Sequence, residues 1–253
     1  MQDSIKKLIN CLSRLMNRVM NVVEIDITFD VRADSKGKDP DYASKTLRSY
    51  HQLLWSKQLP NGQFMKLVVA KNGYLRWRDF YFGSDSIIVS FMNARYKLRN
   101  KVEHDILEYP QYRENYLRKS YTIAGSVIFP QVKWSMNQAR GCSPKICDRW
   151  DLTLECIRRF YNGESSPLDT AFQRSKEFFE LFVDFKGYVD FFFFQDCVDE
   201  NLNVKLWLDT PLFVSNPMPP SVESYISWIN KELDFVDKRG KRIKDYCCLV
   251  SHL

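Results

Sequence analysis

Histidine is scarce in this sequence, with three among 253 residues, at positions 51, 104 and 252. No Cys-x-x-Cys occurs either, so a Cys/His zinc framework cannot be assembled at ordinary ligand spacing. Nine glycines and ten prolines are too few for a collagen-like or low-complexity chain. No uninterrupted apolar run approaches the roughly 18 residues that a membrane-crossing helix needs. No internal repeat is visible, which removes solenoids. The P-loop, G-x-G-x-x-G, G-x-S-x-G, H-E-x-x-H and EF-hand signatures are all missing. A hydrolase triad is disfavoured too, because only His51 has a polar and aromatic context.

What is present is an ordinary globular balance, 45% apolar and 27% charged, with an aromatic surplus of 15%. Disorder is excluded by that balance. Thirty-seven Lys and Arg against 31 Asp and Glu leave +6, a mild bias that permits an anionic partner without naming one. The basic charge gathers in two runs. Arg95, Lys97, Arg99 and Lys101 form the first, and Arg95, Arg99 and Lys101 are the candidate nucleic-acid contacts. Lys238, Arg239, Lys241, Arg242 and Lys244 form the second. Seven scattered cysteines suit a reducing interior, so the expected location is cytoplasmic.

Residues 1–23 place Ile5, Leu8, Ile9, Leu12, Leu15, Met16 and Val19 at helical spacing. Arg14 and Arg18 interrupt any secretory apolar stretch. The segment is expected to be an amphipathic helix docked on its own domain or on a protein partner, with no membrane role. Residues 24–253 are expected to form one domain. Strands are expected at 24–31, 64–70, 74–82, 86–91 and 121–129, with a hairpin at Asn72-Gly73. Residues 32–42 read as a polar loop. Helices are expected at 44–55 (capped by Ser44), 102–119 (broken at Pro110), 146–161, 166–182 and 221–238, and 202–213 as extended chain. Phe191 to Phe194 must lie in a core. Strands come mostly first and helices mostly last. The fold class is therefore α+β, a mostly antiparallel sheet from the N-terminal half packed against C-terminal helices.

Three stretches collect polar groups suited to chemistry. Arg48, Tyr50, His51, Trp55, Ser56 and Lys57 combine cation, imidazole, hydroxyl and indole in the manner of a nucleotide pocket. Residues 137–141 (NQARG) read as a loop in which Arg140 offers a forked donor for phosphate or carboxylate. On the helix from Cys147, Trp150, Leu154, Ile157 and Tyr161 make a buried stripe, and Asp148, Asp151, Glu155, Arg158 and Arg159 occupy a contiguous polar face opposite to and flanking it, open to solvent or to a ligand. Glu155 and Arg159 form a favourable i,i+4 pair. Asp151 and Glu155 repel at the same spacing unless a cation lies nearby, whether a metal, a ligand group or Arg140.

These stretches also resemble the hallmarks of an uncharacterised bacterial protein family. The first hallmark is Tyr50 to Lys57 (YHQLLWSK) with Leu59-Pro60 and Gly62. The second is Thr122-Ile123, Gly125 and Phe129-Pro130, then Asn137 and Ala139-Arg140-Gly141. Asp148-Arg149 with residues 151–159 (DLTLECIRR) is the third and most specific. Asp184-Phe185, residues 187–192 (GYVDFF) and Gln195-Asp196 make the last. The resemblance runs from about residue 26 to residue 244, with Ala124 and Lys186 as departures from the usual Gly and Arg. It implies kinship and landmarks, and no mechanism.

Three functions fit the residues. The sharpest is ADP-ribosyl transfer from NAD to nucleic acid, of the toxin or phage-defence type. In it Glu155, His51 and Arg140 are catalytic, and Arg48, Trp55, Ser56, Thr122 and Asn137 hold the dinucleotide. A helical Glu155 sits badly with this, because such transferases carry that glutamate at a strand edge. The second is a non-catalytic binding module in which buried Arg–carboxylate motifs are structural pins and the aromatic surplus forms a partner interface. The third is a nuclease with Mg²⁺ held by Asp148, Asp151 and Glu155. No protein-bound metal is expected outside that last reading.

Overall fold

The computed structural model describes residues 25–88 and 110–250. The expected N-terminal helix, the run from Arg95 to Lys101, and His104 and His252 lie outside them.

Residues 25–31 alternate as a strand would, yet pair with no strand among the described residues and run as turns and irregular chain. The polar stretch after them holds two short helices, α1 (Arg32–Ser35) and α2 (Pro40–Ala43). Asp39 caps α2 through the Asp41 N–H, with Pro40 at the first helical position, where a missing N–H costs nothing. Helix α3 (Lys45–Trp55) starts where Ser44 Oγ accepts the Leu47 N–H at 3.0 Å. It buries Leu47, Tyr50, His51, Leu54 and Trp55 along one face.

Strands β1 (Val68–Val69), β2 (Leu75–Trp77), β3 (Phe80–Ser86) and β4 (Ser126–Pro130) form one antiparallel sheet in the order β1-β2-β3-β4. The hairpin at Asn72-Gly73 is present, with Gly73 at φ +89°. The run expected as one strand over 74–82 folds on itself at Arg78 (φ 54°), which supplies the second hairpin. Between the third and fourth strands in sequence lies α4 (Pro110–Ser120). Residues 121–125 are not strand. A 3₁₀ turn at Ile123–Gly125 is capped by Thr122 before β4 begins.

Helices then dominate. These are α5 (Met136–Cys142), α6 (Trp150–Asn162), α7 (Asp169–Arg174), α8 (Lys176–Glu180), α9 (Phe185–Phe191) and α10 (Val222–Val250). Residues 137–141, read as a loop, belong to α5. The helix expected over 166–182 breaks at Ser175, which ends α7 and precedes α8. Residues 202–213 contribute only a single bridge, Val198 to Val204. The fold is α+β, as the order of elements implied.

The aromatic surplus fills the core. Phe191 to Phe194 are buried, and Tyr188 and Phe192 lie 4.9 Å apart between ring centres. Phe160, Phe172 and Phe179 form a second stack at 4.9 to 5.5 Å. One apolar cluster extends from Ile25 to Ile243. Burying a Phe side chain contributes roughly 1.5–3 kcal/mol, so these rings are mostly spent on folding and little of the surplus is left for an interface. β4 is buried along its whole length. Three of the residues singled out for chemistry, His51, Arg140 and Asn137, meet its neighbour β3.

Candidate functional site

Successive side chains of a strand point to opposite faces of its sheet. Ser84 and Asp85 of β3 are successive, and each anchors one of the expected catalytic residues. His51 Nε2 lies 2.9 Å from Ser84 Oγ. Arg140 is ion-paired with Asp85. Imidazole and guanidinium therefore sit on opposite sides of the sheet and share no cleft.

The His51 tautomer follows from its neighbours. Indole is a donor only, and Trp55 Nε1–H donates to His51 Nδ1 at 2.9 Å. Nδ1 is thus an acceptor, the ring proton resides on Nε2, and that N–H donates to the Ser84 hydroxyl oxygen. A Ser–His catalytic pair needs the reverse polarity, with Nε2 accepting the hydroxyl proton. His51 is 1% exposed, and burial pushes its pKa down to about 3, with the Arg239 charge adding to the effect. It is a neutral core histidine.

Arg140 is fully buried. Its Nε donates to Thr153 Oγ1 at 2.9 Å, Nη2 to the Asp148 carbonyl at 2.9 Å, and Nη1 to the Asp85 carboxylate. The Asp148 N–H returns a bond to the Arg140 carbonyl at 3.1 Å. This mutual grip holds Cys147 and Asp148 in the left-handed region, at φ 49° and 64°. Two adjacent non-glycine residues there are strained, and the Arg140 contacts over-determine them. Burial outweighs the Arg140 charge at Asp85, whose carboxyl is pushed up to about 6.

Thr153 and Glu155 are 200° apart on α6 at 100° per residue, so Arg140 meets one face of that helix and Glu155 leaves from another. Glu155 accepts from Arg158 Nε at 2.8 Å and Nη2 at 2.9 Å, and from Arg159 Nε at 2.9 Å. Asp151, expected on an open face, is 1% exposed. Its cation is Arg149, through Nε at 3.0 Å, and it also accepts the Trp207 N–H at 2.9 Å. Helix α6 is buried nearly all round from Trp150 to Ile157, and the contiguous polar face expected of it does not exist. Asp148 precedes α6, so the helical spacing proposed for a Mg²⁺ set does not apply to it. Asp148, Asp151 and Glu155 each face a different guanidinium. Among the described residues no group of three His, Cys, Asp or Glu converges as metal ligands would.

The residues expected to hold a dinucleotide are engaged in folding. Trp55 is fully buried against Phe191, Phe192 and Phe193. Ser56 Oγ accepts the Leu67 N–H at 3.0 Å and Gln52 Nε2 donates to the Leu67 carbonyl at 3.0 Å, together covering the outer edge beside β1. Arg48 donates to the Tyr42 carbonyl. Thr122 Oγ1 accepts the Gly125 N–H at 3.2 Å. Asn137 Nδ2 donates to the Ser84 carbonyl at 3.2 Å, leaving its buried Oδ1 without a hydrogen bond.

Three participants were not singled out from sequence. Asp41 takes the Ser84 N–H on both oxygens, at 2.8 and 2.9 Å, where β2 has ended and β3 has a free edge. Burial pushes its pKa up to about 7. Arg149 is fully buried. So is Arg239, which sequence placed in a solvated basic run; it donates to the carbonyls of Phe192, Ala124 and Ser126 at 2.6 to 3.0 Å. The signal was available. Trp228, Glu232, Phe235, Arg239 and Ile243 recur at helical spacing on α10, and all are buried.

A family model described as a family of unknown function (DUF6994) matches residues 25–243. The chain belongs to that family. No curated protein and no solved structure matches it. Among the described residues, the match covers every buried member of the apolar cluster, from Ile25 to Ile243. Its members carry no assigned activity, which leaves function to the geometry. No described helix is long and apolar enough to cross a membrane.

Proposed function

We propose that the chain is a non-catalytic binding module whose partner is a protein. The observation that carries this reading is the occupation of the three groups best suited to catalysis. His51 bonds through both ring nitrogens, Arg140 bonds through all three of its nitrogens and Glu155 faces two guanidinia, each within its own set of partners. ADP-ribosyl transfer from NAD asks for a carboxylate ready to face a ribosyl cation, and a nuclease asks for carboxylates that converge on Mg²⁺. Neither arrangement is favoured here. Buried Arg–carboxylate sets suit a rigid support that holds strained loops in one conformation.

The partner surface is the apolar rim beside the sheet edge. Phe64, Val68 and Val69 are 60%, 45% and 48% exposed within six residues of chain. The Gln52 bond to Leu67 brings α3, with exposed Leu53, alongside them. Exposed apolar groups at a sheet edge favour an apolar protein contact over a polyanion.

Incubation with labelled NAD and total RNA, DNA or protein tests the reading. No transferred label is expected, and Glu155→Gln should lower stability by about 2 kcal/mol through loss of charge-assisted hydrogen bonds. Label transfer that disappears in Glu155→Gln without a change in melting would overturn the module reading. Phe64→Ser with Val69→Lys should remove protein cross-links seen with the wild type while leaving the melting temperature in place.

A further inference from the structure

Lys57 occupies a place that neither the sheet contacts nor the apolar rim explains. Two residues beyond α3, its side chain enters an aromatic cage. Nζ lies 4.4 Å from the ring centre of Phe191, 4.5 Å from Phe193, 4.8 Å from Tyr246 and 5.2 Å from Trp55. It donates to the Phe191 carbonyl at 3.0 Å and pairs with no carboxylate among the described residues. An ammonium with three donors, one carbonyl acceptor and four ring faces is poorly compensated for the water it has lost. Lys57 also lines an open cleft of about 610 Å³, between Gln58, Leu59, Pro60 and Gly62 on one side and Gly187 and Asp190 of α9 on the other.

We infer that Lys57 is a ligand-binding amine, which takes up a small aldehyde or ketone from this cleft as an imine. The step needs no redox partner. The neutral nitrogen adds to the carbonyl carbon, and the C=O π pair moves to oxygen. The resulting carbinolamine loses water, whose oxygen comes from the carbonyl and whose two hydrogens are the two that the amine nitrogen gives up. A solvent proton then converts the imine to its iminium. The cage decides between electrophiles. Ring faces stabilise a cation, so an iminium keeps the contacts the ammonium had, whereas a carbamate or amide forfeits them.

Burial lowers the Lys57 pKa to about 7; the Arg239 charge acts in the same direction and Cys247 opposes it. Tyr246 completes the α10 side of the cage, and Asp184, Lys186 and Asp190 line the cleft. The amine is therefore half neutral at physiological pH, where an ordinary lysine is almost wholly protonated. This inference is independent of the partner-binding reading, because neither Phe64 nor Glu155 lines the cleft.

The test treats the full chain at pH 7 with propionaldehyde and sodium cyanoborohydride, which reduces the imine to propyl-lysine. Peptide mapping follows each lysine in time. Lys57 should be propylated at least about 10-fold faster than the exposed lysines, its advantage in neutral amine being partly offset by burial. Its rate should level off above pH 7 while theirs continue to climb. Lys57→Arg should keep the cage filled and remove the fast adduct. Labelling of Lys57 at or below the rate of the exposed lysines would overturn the inference and make it a sealed structural cation.

Discussion

His51 and Asp41 both meet Ser84 of β3, one at its hydroxyl and the other at its N–H, and their protonation should act on stability with opposite signs. The His51 pKa falls to about 3, below the unfolded value of 6.5. Between these values the unfolded chain binds a proton that the folded chain refuses. Acidification through this window therefore destabilises, by about 1.4 kcal/mol per pH unit. Asp41 rises from 3.8 to about 7, so over nearly the same window the folded chain holds a proton the unfolded chain has released. Acidification then stabilises by a similar slope. The two contributions offset each other in the wild type, and single substitutions should expose them. From pH 6 to pH 4, His51→Gln should gain about 2–3 kcal/mol relative to wild type, and Asp41→Asn should lose a comparable amount. Urea unfolding at three pH values across this range, read as the difference between each variant and wild type, measures both. Parallel curves for His51→Gln and wild type would mean that His51 is reached by water and titrates normally. The sealed tautomer argued above would then be wrong.

Arg140→Met should cost about 3–5 kcal/mol, the usual penalty for breaking one side of a buried pair. In a double-mutant cycle with Asp85→Asn the loss in the double mutant should fall short of the sum of the two single losses by about 1–3 kcal/mol; additive losses would mean that Arg140 and Asp85 are not coupled. Gly187→Ala should lower stability by about 1–3 kcal/mol, since its Cβ would stand 2.2 Å from the Phe182 carbonyl oxygen. A variant as stable as wild type by thermal melting would show that the turn before α9 can yield.

Several local features of the fold are visible in short stretches of sequence. Ser44 as a cap and Asn72-Gly73 as a hairpin depend on interactions within a few residues, and Phe191 to Phe194 are marked as core by four consecutive apolar rings, although their packing partners are distant. Where the reading failed, partners distant in sequence decided. Residues 25–31 alternate correctly for a strand, but among the described residues they form no ladder, and Val31 N–H meets only the Tyr121 carbonyl. Residues 137–141 look like a loop because Gly141 ends the run, yet Arg140 is drawn into a helix by Asp85, Thr153 and Asp148, up to 55 positions away. The polar residues of α6 suggested an exposed face because the groups that cover the helix, Arg140 on Thr153 and the Trp207 N–H on Asp151, lie far from them in sequence.

The order of strands and helices, the aromatic core and the membership of a family were determined by the linear sequence, because propensity, turn chemistry and apolar patterning are local. Whether His51, Arg140 and Glu155 form a site was decided only by tertiary structure. Strand alternation puts the first two on opposite faces of β3, and helical phase turns the third away from both. Charge type is written in the letters, but the direction a side chain faces belongs to the packed layers around it.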